Sequence, residues 1–312
     1  MGTEFGVESP AFVAIRAVLS ASTIGLLGSL ALRWIVLPRY AGPDAAELRR
    51  TVAERLPRWI DGFGLVALAA TIARLVAQHV AVFGTAEPLS RDSLATLLFR
   101  SNWGRTWWLA LTAAIVVTWV APRLRRTTSA GWLVAAAAIL LFAVSQPLSG
   151  HPAAAQMPNL AVATQLLHLI GAGGWVGSLA MLTVLAIPAA QRLEGGSSDP
   201  AARVAGLVRA FSPTALVFSA LLGVTGLYTA WVNLGGFAPL WLSTYGRTLV
   251  LKLGFLSIAA ATGAYNWRRV LPVLDQPHAG ARLRRSSLIE LGAAMLVLLA
   301  TAVLVATPMS NE

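Results

Sequence analysis

With no cysteine in the chain, its four histidines and five methionines are the side chains best suited to a soft metal ion. The missing thiol removes disulfides, thiolate metal sites and cysteine nucleophiles together. A soft-metal site must then use imidazole and thioether, the ligand pair expected for copper. His79, His151, His168 and Met157 are the candidate ligands. His278 sits in an arginine-rich tract and reads as solvated. No Ser/His/Asp constellation can be placed, and carboxylates are scarce in the apolar stretches, so the chain reads as a non-enzyme.

These residues must be positioned by membrane helices. Hydrophobic residues make up 56% of the 312 and charged residues only 12%, at a mean hydropathy of +0.68. Soluble domains carry roughly 25% charge, so this chain has too little polar surface to cover a globule. Apolar runs of about 20 residues, the length that spans a bilayer, recur at 11–38, 59–85, 103–121, 131–149, 163–189, 211–235, 245–267 and 287–307. The predicted fold is an all-α polytopic bundle of eight transmembrane helices. The odd connections hold the arginine tracts: Arg39 to Arg58, Arg123 to Arg126, Arg192 to Arg209, and Arg268 to Arg285. The positive-inside rule assigns them to the cytoplasm and both termini to the periplasm. The net charge of +11 is thus topology-setting loop charge and not a nucleic-acid footprint. Tryptophans such as Trp34, Trp59, Trp103 and Trp108 fall near span ends, as an aromatic belt does. Three parts are expected: membrane region 1–189, a flexible cytoplasmic linker at 190–210, and membrane region 211–312.

This topology gathers His79, His151 and His168 on the outer side with Met157 beside them. They could form one site if helices two and five are neighbours. The plainer reading is interfacial histidines and a packing methionine. Arg16, Arg74 and Lys252 also fall in the outer half, with Arg33 and Glu290 near the inner face. Such groups are costly in lipid and default to function. An outer half rich in cations could hold an anionic lipid, a haem propionate or a partner, or could rely on backbone carbonyls. On helix five, His168, Gly171, Trp175 and Ser178 share one face, and Gly173 and Gly177 form a Gly-xxx-Gly pair suited to helix packing. Met181 and Met295, nearer the inner side, read as core or as a second thioether stop.

Several stretches then stand together: Gly150-His151, Leu167-His168 leading to Trp175-Val176-Gly177, Tyr245-Gly-Arg-Thr-Leu-Val-Leu-Lys252, Ala264-Tyr265-Asn266, Arg285-Ser-Ser-Leu-Ile-Glu290, and Ala306-Thr307-Pro308. This set resembles the copper resistance protein D (CopD) family of bacterial inner-membrane proteins, over roughly 145–308. Spans one to four match it only in hydropathy and count. The resemblance implies copper handling: a multi-pass inner-membrane protein carrying copper from periplasm to cytoplasm. It carries the family's histidines onto His151 and His168, and its lysine and glutamate onto Lys252 and Glu290. His79 has no counterpart in it. Without Met- and His-rich runs, loading is expected to need a periplasmic copper-donor protein. Neutral imidazole is the ligand, so binding is expected to weaken below about pH 6.5. Two alternatives stay open: a haem- or quinone-binding redox protein using His79 and His168, and a copper chaperone or assembly factor that does not transport.

Overall fold

In the computed structural model the described residues are 10–42, 44–125, 129–150, 157–193, 198–234 and 239–270, with 285, 289, 292, 293, 295–297 and 299–301 near the C-terminus. All regular structure among them is helical. Seven helices are long and apolar enough to cross a membrane. They are α1 (Pro10–Arg39), α2 (Ala45–Phe83), α4 (Asn102–Arg123), α5 (Ser129–Leu148), α6 (Pro158–Gln191), α7 (Pro200–Leu234) and α9 (Gly246–Tyr265). Two short helices, α3 (Arg91–Phe99) and α8 (Pro239–Leu242), lie in connections. Of the eighth expected span, 287–307, only scattered residues are described, and these are helical. Both termini fall outside the described residues. "Outer" and "inner" below follow the loop-charge orientation.

Lipid tails are as apolar as leucine, so helix association needs close packing and not hydrophobic burial alone. The chain meets this with small residues. A methyl on Gly28 of α1 would lie 2.1 Å from the Gly177 carbonyl carbon of α6, and one on Gly177 would lie 2.1 Å from the Ile24 oxygen. The two backbones therefore touch where these glycines cross. Gly173 receives Leu27 and Gly174 receives the Phe218 ring of α7. The Gly-xxx-Gly stripe is thus the seam between α1 and α6, as the packing reading expects. Hydroxyls inside α1 are hidden against their own helix, with Ser22 and Thr23 donating to the Leu19 carbonyl at 3.0 and 2.7 Å.

Around this seam α1 also packs on α2, α4 on α5 and on α2, and α6 on α7 and α5. Trp107 of α4 donates its indole N–H to the Thr71 carbonyl of α2 at 2.8 Å. At the inner end the Arg33 guanidinium stacks 3.7 Å from the Trp132 ring centroid, and Trp34 meets the same ring edge-on at 6.5 Å. Arg33 thereby reaches α5; Glu290 is not among the described residues.

The inner connections are more ordered than a loop reading suggests. α2 starts at Ala45, well before the expected 59, because Leu48, Val52 and Leu56 repeat on one buried face while Arg49, Arg50, Glu54 and Arg55 look outward. Likewise Pro200 opens α7 inside the expected linker, with Val204, Ala205 and Leu207 buried. The two segments meet through a buried ion pair, Asp44 with Arg203 at 3.7 Å. The Asp44 carboxylate also accepts from the backbone N–H of Ser198 at 3.2 Å and from its hydroxyl. Arg203 donates to the Leu193 carbonyl at 3.0 Å, and the Tyr40 ring lies against Gly206. Arg39 of α1 donates to the Thr214 hydroxyl of α7 at 2.8 Å. A polar knot therefore ties α1, α2 and α7 at this face.

Candidate functional site

His168 projects from the outer half of α6 towards α7. Its Nδ1 lies 3.0 Å from the Thr225 hydroxyl oxygen. That hydroxyl has one proton, and its shortest acceptor is the Leu221 carbonyl at 2.7 Å. When that proton goes to Leu221, Thr225 accepts from His168, the tautomer with the proton on Nδ1 and the lone pair on Nε2. Gly226 makes room for the ring: a methyl there would lie 3.3 Å from the His168 Cε1. The ammonium of Lys252 on α9 comes close enough to act on the imidazole electrostatically.

His79 has a different neighbourhood. It is buried at the outer end of α2, with Nε2 held 2.8 Å from the Ser93 hydroxyl of α3 and its ring 5.0 Å from that of Phe83. Ser90 caps α3, and its side chain and backbone interlock with Ser93. Whichever tautomer is present, one ring nitrogen of His79 is spent on this cap. The main contacts of α2 with α6 are at the inner end, around 182–191, while the outer half of α6 packs chiefly on α7, α5 and α1. His79 and His168 are thus committed to different partners.

His151 lies outside the described residues. Arg74 of α2 donates to the Ser149 hydroxyl at 2.9 Å and to its carbonyl at 3.0 Å, two positions before His151. Ser149 follows α5, a direct neighbour of the outer half of α6. Met157 caps the first turn of α6, its carbonyl accepting from the Ala161 N–H at 3.0 Å, and is 68% exposed. Trp175 is buried in the main core with Met181, which supports the packing reading of that methionine. Met295 is exposed. Glu290 and His278 are not among the described residues. Within those residues no three His, Cys, Asp or Glu side chains converge as a metal cage.

Thr225 and Ser93 were not singled out in the sequence, because a hydroxyl in an apolar helix usually bonds its own backbone. Only the helix pairing shows which of them face a histidine.

Comparison with known proteins places the chain in a copper-related family. The family model for the copper resistance protein D-like N-terminal domain matches residues 7–158, and that for copper resistance protein D matches 205–304. The chain belongs to the copper resistance protein D family and is a multi-pass membrane protein. The N-terminal spans, which resembled the family only in hydropathy, therefore carry a signature of their own, while His168 falls between the two matched ranges. Over 220 residues the chain is 24% identical to a protein named copper transport protein CutJ from Bacillus subtilis (strain 168). That alignment covers 69% of this chain and 38% of the relative, so the chain spans about two fifths of its length. No solved structure matches.

Proposed function

We propose that this chain binds copper at its outer end and passes it inward across the bacterial inner membrane, as a carrier and not as a catalyst. His168 and His151 are the first ligands, with Met157 beside them. The observation that supports this reading most is the hydrogen bond between His168 and Thr225, which occupies Nδ1 and leaves Nε2 as the ring nitrogen for a metal. Arg74 holds Ser149, two positions before His151 in the sequence. The family match and the copper-transport relative support copper as the cargo. A periplasmic donor protein would deliver the ion to this end. No phosphate-cradling Walker motif is present in the sequence, so movement follows the metal gradient or the membrane potential.

The test is copper accumulation in cells carrying His151→Ala with His168→Ala, beside copper stoichiometry of the purified double variant. Both are expected to fall. Wild-type uptake and stoichiometry in the double variant would sink the reading. Copper bound by purified wild type without influx into proteoliposomes would instead assign a chaperone role.

A further inference from the structure

Arg74 carries a second feature that the copper site does not use. It is 7% exposed and lies within a membrane-spanning helix. Two of its five N–H donors go to Ser149. Its Nε–H is buried with no acceptor. Beside it, the Trp103 indole N–H is also buried with no acceptor, and the Arg74 guanidinium carbon lies 5.8 Å from that ring centroid. No ion pair to a described carboxylate neutralises Arg74. A buried charge without a counter-charge is a costly arrangement. Here a buried guanidinium and two unspent donors, the Arg74 Nε–H and the Trp103 indole N–H, meet.

The location narrows what can answer them. Trp103 is in the first turn of α4, Ser149 follows the last residue of α5, and Arg74 is nine residues before the end of α2. α2 therefore continues past the site by about 14 Å, at 1.5 Å per residue. The cluster sits at the level where neighbouring helices end, which is headgroup depth. An oxyanion accepts from several directions at once, and guanidinium is the side chain whose fork fits it best.

We propose that Arg74 and Trp103 form a binding site for a phosphate-class oxyanion at the outer interface. The inference does not rest on the copper reading and is tested without copper.

The delipidated full-length protein in detergent is followed by thermal unfolding at constant chloride, with three separate probes: inorganic phosphate, dihexanoyl phosphatidylglycerol, and dihexanoylglycerol, which lacks the phosphate. At least one phosphate-bearing probe is expected to raise the midpoint, and dihexanoylglycerol is not. Trp103→Phe keeps the ring and removes the N–H; Arg74→Lys keeps the charge and loses the fork. Each is expected to weaken the response about tenfold in probe concentration, the scale of one hydrogen bond to a charged group. A response to the phosphatidylglycerol alone assigns a lipid headgroup, and one to inorganic phosphate alone assigns a free ion. No shift with either, an equal shift with dihexanoylglycerol, or a Trp103→Phe response equal to wild type overturns the site.

Discussion

The Nδ1 of His168 faces the Thr225 hydroxyl across the α6–α7 interface at 3.0 Å, and the threonine passes its own proton to Leu221. A helix-to-helix hydrogen bond thus selects which face of the imidazole is open. Groups of this kind orient a metal ligand without touching the metal, and their loss typically costs 10- to 100-fold in affinity. Thr225→Val, which keeps the shape and deletes the hydroxyl, is expected to weaken copper binding by roughly that range. Thr225→Ser is expected to preserve it. Titration against a competing chelator reads the difference, and equal affinities for Val and wild type would remove Thr225 from the site.

His79 makes the opposite prediction. Its Nε2 is engaged by Ser93, so its role is to hold α3 against α2. His79→Gln can restore that bond through its amide and is expected to leave copper accumulation within about twofold of wild type. His79→Ala removes this bond, though the Ser93 hydroxyl keeps its partners in Ser90, and is expected to lower stability by about 1 kcal/mol or more, the net worth of one buried hydrogen bond. Thermal unfolding and uptake measured on the same variants separate the two effects. Loss of uptake in a folded His79→Gln protein would return His79 to the list of copper ligands.

The glycine seam can be probed by adding one methyl. Gly177→Ala would push against the Ile24 carbonyl and the Gly28 backbone, neither of which can rotate away. A destabilisation of about 1–3 kcal/mol or more is expected, as for overpacked cores. Gly223→Ala on α7 meets nothing within 4 Å and is expected to stay within about 0.5 kcal/mol of wild type. Denaturation in detergent compares them directly.

The polar knot at the inner face gives an alkaline signature. Burial first, and then the Asp44 carboxylate, push the Tyr40 phenol above its ordinary value of about 10, with Arg203 opposing. The folded state therefore favours the neutral phenol. Its contribution is present in full below about pH 10 and is lost as pH rises through the raised value. The gap in unfolding midpoint between wild type and Tyr40→Phe is expected to be constant from pH 7 to about 9 and to change above about 10. A gap that stays flat up to pH 11 would detach Tyr40 from this titration.

Much of the scaffold is legible from the chain alone. Apolar runs locate the seven described spans because lipid imposes one length rule on every helix. The small residues at 173 and 177 mark a packing seam for the same reason: only they let backbones touch. The missed parts are amphipathic, not apolar. The first turns of α2 and α7 hide their buried stripe among arginines, and α3 looks like a polar connection until Ser90 and Ser93 are seen to cap it. The site was legible in residue type but not in pairing. His79 and His168 look equivalent by depth, yet Ser93 claims one and Thr225 orients the other, and helix adjacency is a property of the tertiary fold.

One feature of α6 reaches further than its packing. The helix widens into a π turn at Gly173–Gly177 and again at Leu182–Ala186. Each such turn accommodates one residue beyond the α-helical repeat. One residue corresponds to about 100° of rotation, so each turn resets which side of the helix faces a given neighbour. Everything below Gly177 is out of phase with the stretch that carries His168. A single-residue deletion inside the first turn would straighten the helix, yet it would swing His168 about a quarter-turn away from Thr225 unless the lower half yielded instead. In that sense the width of the turn acts as an angular setting for the imidazole, written into the length of the chain and not into any side chain.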